Sequence, residues 1–245
     1  KHQRTPTTKL FTSWFDTPFY HILYKDRDVT EAHAFMDTLT NYLNIPEGGS
    51  ILDLACGKGR HARYLNKIGY EVTGLDLSAN SIKFAKQFEN HRLRFEVHDM
   101  SKPYHKTFDA VFNLFTSFGY FDKDEDNLNT IKAIKTNLNA SGFAVIDFMN
   151  SEFVIDSLVP EETKTVDGID FHLKRYVEDG FIVKHIRFNA MGDDFTFEER
   201  VRAFTLKDFE ILFEKADVHL LDVFGDYKLN KFNPKTSERL VMVFK

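Results

Sequence analysis

The run Ile51-Leu52-Asp53-Leu54-Ala55-Cys56-Gly57-Lys58-Gly59-Arg60-His61 constrains this chain more than any other stretch. It reads as a short apolar strand, a glycine turn and the first turn of a helix. Neither Gly57 nor Gly59 carries a Cβ, so the backbone there can approach a ligand closely. The following helix directs unpaired N–H groups and the positive end of its dipole at whatever lies above the turn. Such a unit is the usual cradle of a nucleotide-like cofactor, and it commits its surroundings to an α/β sheet.

The neighbouring residues repeat the unit. Strands are predicted over residues 51–55, 71–75, 93–97, 108–114 and 143–148. Helices are predicted over 60–68, 79–88 and about 124–138, the last stopping at Asn139-Ala140-Ser141-Gly142. A further helix over 28–43 comes first, because Ala32, Phe35, Met36, Leu39 and Leu43 recur at helical spacing. Alternating strands and helices imply parallel pairing through right-handed crossovers. After Asn150 the pattern changes. Asp167-Gly168, Asp179-Gly180 and Gly192-Asp193 are turn signals between alternating segments at 171–177, 181–188 and 195–204, which together read as an antiparallel meander. Thr205-Leu206-Lys207-Asp208 resembles a capping box and opens a helix to about residue 215. Two strands, 218–223 and 240–244, close the chain.

The expected fold is therefore a doubly wound, Rossmann-like, mostly parallel α/β sheet with a terminal antiparallel strand, plus an inserted antiparallel β-sheet. The expected organisation is an N-terminal lid or tail over 1–27, a cofactor-binding core over 28–150, the β insertion over 151–204, and a last helix with two strands over 205–245. The length of 245 residues fits one large domain with a modest insertion. With 42% hydrophobic residues the chain can build a substantial core, to which 26 Phe contribute.

Three carboxylates sit at the ligand edge of successive strands. Asp53 lies near the end of the first strand, Asp76 ends the second and Asp99 ends the third. Asp76 comes about twenty residues after the glycines, where an acid normally binds ribose hydroxyls.

The set Asp53-Leu54-Ala55-Cys56-Gly57-Lys58-Gly59, Val72-Thr73-Gly74-Leu75-Asp76 and His98-Asp99-Met100 resembles the class I S-adenosylmethionine-dependent methyltransferases. Phe108-Asp109-Ala110-Val111-Phe112-Asn113 is similar to their fourth strand. The closest likeness is to the bacterial small-molecule branch with a β insertion after the fifth strand. The resemblance implies S-adenosyl-L-methionine as cofactor and a small-molecule methyl acceptor. It implies that Ala55, Gly57 and Gly59 line the methionine part, with Ala55 standing where the family usually has Gly. It implies that Asp76 takes both ribose hydroxyls, that Asp99 and the Met100 backbone meet the adenine amino group, and that Asn113 lies beside the methionine ammonium. Asp53 completes the cofactor set. Arg60 and His61, at the helix start, could face the methionine carboxylate or the substrate.

Gly57-Lys58-Gly59-Arg60-His61-Ala62 also satisfies the dinucleotide pattern G-x-G-x-x-A, so an NAD(P)-dependent oxidoreductase is the rival reading. Asp53 inside the strand, Asp99 and the two-strand finish favour the methyl donor. A non-catalytic cofactor-binding module is a third reading.

Methyl transfer from a sulfonium needs alignment above all, and a base only where the acceptor must lose a proton. No base is evident. Tyr20, Tyr24, Arg27, His61 and Tyr120 are candidates for substrate contact or a lid by expected location. The N-terminal aromatics Phe11, Trp14, Phe15 and Phe19 would dock on the domain or cover the cofactor. Thr116-Ser117-Phe118-Gly119-Tyr120-Phe121 should rim the site.

The ten His show no metal spacing, so no metal site is expected. A net charge of −5 without a long basic block disfavours nucleic acid. Cys56 is the sole cysteine, which fits a reducing compartment. No apolar run reaches membrane-spanning length and no signal-peptide pattern opens the chain, so the expected location is cytoplasmic. The β insertion offers a surface for a homodimer.

Overall fold

The computed structural model describes residues 14–245. Phe11 and the basic Lys1, Arg4 and Lys9 lie outside the described residues. In chain order, a 3-10 turn at Trp14–Asp16 leads into α1 (Pro18–Leu23) and α2 (Val29–Leu43). The alternating part follows: β1 (Ser50–Leu54), α3 (Arg60–Lys67), β2 (Glu71–Asp76), α4 (Ala79–Lys86), β3 (Leu93–Val97), β4 (Phe108–Asn113), α5 (Glu125–Thr136) and β5 (Leu138–Met149). A short α6 (Ser151–Asp156) precedes β6 (Glu161–Val166), β7 (Ile169–Glu178), β8 (Phe181–Ala190) and β9 (Asp193–Arg202). The chain closes with α7 (Leu206–Lys215), β10 (Leu220–Phe224) and β11 (Arg239–Phe244). Two compact units result. One is Asp28–Val154 with Phe204–Lys245; the other joins the described part of Lys1–Arg27 to Ile155–Ala203.

The larger unit holds a seven-stranded sheet in the order β10-β11-β5-β4-β1-β2-β3. β1 pairs in parallel with β2 and β4, while β11 runs antiparallel to β5. Strand order reverses between β1 and β4, and in such sheets ligands usually sit above the carboxyl ends at that point. α2 forms where Asp28 accepts a hydrogen bond from the Glu31 N–H at 3.0 Å, and it ends at Asn44 in the left-handed region. Its Phe35, Met36 and Leu39 are buried in one core with Ile51, Val72, Phe112 and Val145 of the sheet. Each such side chain contributes about 1.5–3 kcal/mol by leaving water. A second aromatic group joins Phe148 and Phe244 of the sheet to Phe209 and Phe213 of α7. The largest fully buried side chains are all Phe, so the phenylalanine surplus fills core.

The expected meander is present with one strand more than the three read from the pattern. β6, β7, β8 and β9 form a four-stranded antiparallel sheet. β6 is an edge strand whose Glu161–Val166 residues are exposed except for Val166, so it carries no apolar alternation to betray it. The hairpin turns pair a left-handed residue with Gly at Asp167-Gly168, Asp179-Gly180 and Met191-Gly192. The third turn thus sits one residue earlier than Gly192-Asp193. Phe19, Leu23 and Trp14 are buried in this unit with Phe171, Ile186, Phe188 and Phe195.

β5 also starts earlier than expected. Asn139-Ala140-Ser141-Gly142 reads as a stop, yet it lies inside the strand as an irregular stretch. Pairing with β4 slips from Phe108 opposite Leu138 to Ala110 opposite Phe143. A Cβ on Gly142 would lie 2.9 Å from the Phe108 carbonyl oxygen, so only glycine lets the two backbones come this close.

Candidate active site

Three residues of the β1–α3 turn occupy the left-handed region: Ala55 (φ 57°), Gly57 (φ 56°) and Gly59 (φ 85°). The two glycines serve different ends. A Cβ on Gly57 would meet nothing within 4 Å, so its backbone faces open space. A Cβ on Gly59 would lie 2.6 Å from Phe95 Cζ and 3.1 Å from Ala85 Cβ. Gly59 is therefore needed to seat α3 against the sheet, while at Gly57 the space a Cβ would take is open. The turn is tied to β2 by the Cys56 N–H on Leu75 O at 2.9 Å and by the Gly57 N–H on Asp76 Oδ2 at 2.9 Å. Asp76 Oδ1 accepts from the Ser78 N–H at 2.8 Å. Capping of α4 falls to the Ser78 side chain, so Asp76 is not merely that helix's cap. Burial pushes the Cys56 thiol far up, which makes it an unreactive filler.

Asp53 Oδ2 and Asn113 Oδ1 are among the buried polar atoms that lack a hydrogen-bond partner among the described residues. Asp53 stands near the end of β1 and is 6% exposed; Asn113 ends β4 and is fully buried. Leaving such an atom unsatisfied costs about 1–3 kcal/mol. Burial, then the charge of Asp76, pushes the Asp53 carboxyl up to about 7. The Asn113 amide donates to Ser117 Oγ at 3.0 Å and meets Met100 Sδ at 3.6 Å. Asp99 Oδ1 accepts from the Ser101 N–H and hydroxyl at 2.9 and 2.8 Å. Acceptors without donors, an open glycine backbone and a carboxylate pair fit a ligand that carries an ammonium and hydroxyl groups. Among the described residues no cluster of metal-ligating side chains occurs.

A second buried network borders this set. Phe115 (φ 62°) and Thr116 (φ 55°), the second and third residues after Asn113, are both left-handed. The Phe115 N–H donates to Asp147 Oδ2 at 2.8 Å, and the Thr116 N–H to Asp147 O at 3.1 Å. Arg239 donates to Asp147 Oδ1 from Nε at 3.0 Å and to Thr116 Oγ1 from Nη2 at 2.7 Å. β11 pairs Val241 with Asp147, which puts Arg239 on the same face one diagonal step away. Tyr227 lies beside Asp147 and favours its ionised form. Burial pushes the Asp147 carboxyl up, against the pull of Arg239, the Phe115 amide and Tyr227. Sequence reading missed this network. Asp147 inside the apolar run Phe143-Ala144-Val145-Ile146-Asp147-Phe148 was the available signal, since a carboxylate there requires a buried cation.

The remaining candidates fall in two places. His61 packs its ring 4.4 Å from Phe115, and Tyr120 lies near enough to Arg239 to affect its charge; both belong to the larger unit, where Arg60 is exposed. Tyr20, Tyr24 and Arg27 belong to the smaller unit. There the Tyr24 hydroxyl donates to Glu199 at 2.7 Å and accepts from Lys184, while Arg27 stacks 4.5 Å above the Tyr24 ring and Tyr20 packs edge-on to Trp14. Glu199 also accepts from the Trp14 indole at 2.7 Å, and burial lowers the Lys184 pKa. The structure thus gathers Asp53, Ala55, Gly57, Asp76, Met100 and Asn113 at one sheet edge, and ties the N-terminal tyrosines into a separate cluster on the second sheet.

Residues 51–142 match a family model described as a methyltransferase domain. A putative methyltransferase, YqeM, from Bacillus subtilis is 34% identical over 142 residues, covering 56% of this chain and 57% of the relative. A glycine/sarcosine N-methyltransferase from Halorhodospira halochloris is 27% identical over 191 residues, covering 73% of this chain and 68% of the relative. The crystal structure of an S-adenosylmethionine-dependent methyltransferase from Clostridium acetobutylicum superposes with a TM-score of 0.79 at 22% identity, covering 93% of this chain and 97% of that one. The aligned part of this chain thus spans just over half the length of the Bacillus relative.

Proposed function

We propose that this chain is a class I S-adenosylmethionine-dependent methyltransferase and that it transfers a methyl group from S-adenosyl-L-methionine to a nitrogen of a small molecule. The observation that carries the cofactor reading is the pair of buried acceptors, Asp53 Oδ2 and Asn113 Oδ1, with no partner among the described residues. They stand beside a glycine backbone that opens onto free space. Asp53 and Asn113 would take the methionine ammonium, the Gly57 turn its backbone-sized end, Asp76 the ribose hydroxyls, and Asp99 with the Met100 backbone the adenine. When bound, the cofactor supplies an activated methyl on sulfur.

What the chain itself does is align and exclude water. Orientation of two reactants can contribute about 7–11 kcal/mol in favourable cases. An amine acceptor attacks through its lone pair, so a base is required only to keep it neutral or to collect the proton afterwards. That need is modest. The amine follows the named activity of the glycine/sarcosine relative. The test is calorimetric titration with S-adenosylhomocysteine, followed by methyl transfer from labelled donor to a panel of small amines, alcohols and thiols. Absence of binding at high micromolar concentration rejects the cofactor reading. Binding with turnover on alcohols or thiols alone rejects the amine.

A further inference from the structure

We propose that Arg239 and Asp147 are positioning residues for the cofactor site: together they hold the left-handed Phe115 and Thr116 pair so that Ser117 can orient Asn113. This rests on the cofactor reading given above. The chain of contacts is continuous. Arg239 grips Asp147 Oδ1 at 3.0 Å and Thr116 Oγ1 at 2.7 Å with two different nitrogens. The other Asp147 oxygen takes the Phe115 N–H at 2.8 Å. Two successive non-glycine residues in the left-handed region are strained, and they persist only where the surroundings over-determine them. Here a carboxylate, a guanidinium and a backbone carbonyl do so. The turn they impose returns the chain so that Ser117 Oγ donates to Leu114 O at 3.0 Å and accepts the Asn113 amide at 3.0 Å. With its amide nitrogen so engaged, Asn113 keeps Oδ1 free of protein donors. Neither Arg239 nor Asp147 needs to touch the ligand. Their part is to fix which way Asn113 faces.

The experiment is S-adenosylhomocysteine calorimetry on the full chain, with thermal unfolding recorded for each variant. Arg239→Met should weaken binding about 10-fold or more, and Arg239→Lys should recover part of the loss. Ser117→Ala alone should weaken binding, but adding it to Arg239→Met should cost little more, because both act on one chain of contacts. Thr116→Val keeps the ion pair and removes only the hydroxyl; a loss of about threefold is expected. Should Arg239→Met fail to unfold cooperatively, Thr116→Val and Ser117→Ala decide the matter. Affinities within twofold of the parent in folded variants, or fully additive losses, overturn the proposal. A parent chain that does not bind at all rejects the cofactor reading instead.

Discussion

A Cβ placed on Gly59 would stand 2.6 Å from Cζ of Phe95, closer than packed carbon atoms ever come. Gly57, two residues earlier, has no such neighbour. The same substitution should therefore separate folding from binding. Gly59→Ala forces overpacking, about 1–3 kcal/mol, and adds left-handed strain of about 1–2 kcal/mol. Gly57→Ala adds only the strain but puts a methyl group into the open space. Chemical denaturation should show a large loss for Gly59→Ala and a small one for Gly57→Ala, while calorimetry with S-adenosylhomocysteine should show at least a tenfold loss for Gly57→Ala. Equal effects on stability would sink the division of roles.

Ala55 pays the left-handed penalty that glycine avoids, with φ at 57°. Ala55→Gly removes strain of about 1–2 kcal/mol and returns about 0.4–1 kcal/mol through a looser unfolded chain. The net expectation is a gain of about 0.5–1 kcal/mol in stability, read as a higher denaturant midpoint at constant slope. A destabilised variant would mean that the methyl group packs usefully.

Asp53 makes the free protein sensitive to pH. Its carboxyl is raised by burial and then by Asp76 to about 7, above its unfolded value. The stability it contributes is thus fully present below about 4 and lost as pH rises through about 7. Asp53→Asn removes that loss. At pH 8 the ligand-free variant should melt higher, by on the order of 1–3 kcal/mol, and at pH 4 the gain should vanish. Its stabilisation by S-adenosylhomocysteine should shrink at the same time. Lower melting at pH 8 would contradict the assignment of an uncompensated buried carboxyl.

Asp76 holds the turn through the Gly57 and Ser78 amides and is proposed to hold the ribose. Asp76→Asn keeps an acceptor for one amide and loses the charge. Calorimetry should register a loss of about 10–100-fold in S-adenosylhomocysteine affinity, from charge-assisted bonds worth about 1.5–3 kcal/mol. Unchanged affinity would remove Asp76 from the ribose site.

How much of this could be read in the sequence depended on whether a feature was local. The strand, turn and helix around Asp53 announce themselves, because the apolar run and the glycines lie within a dozen residues. Asp76 and Asp99 follow by repeating the unit. β6 was hidden, since Glu161–Val166 is an exposed polar edge with nothing to alternate. The early start of β5 was hidden because Asn139, Ser141 and Gly142 carry turn chemistry, while the partner strand tolerates a slip. The Asp147 and Arg239 pair was hidden by distance: ninety-two residues separate two positions that antiparallel pairing brings one diagonal step apart. The packing role of the second glycine was hidden because a sequence names a glycine without naming what stands opposite it, and here that is Phe95.

Ser151 Oγ donates to the Phe204 carbonyl at 2.6 Å, joining the places where the chain leaves the larger unit and comes back to it. The excursion between them is thereby closed at its neck by the core itself. Loop-closure cost grows only slowly, about 0.6 kcal/mol for each doubling of length. Lengthening or shortening a hairpin turn between residues 155 and 203 should therefore cost the larger unit little in chain entropy.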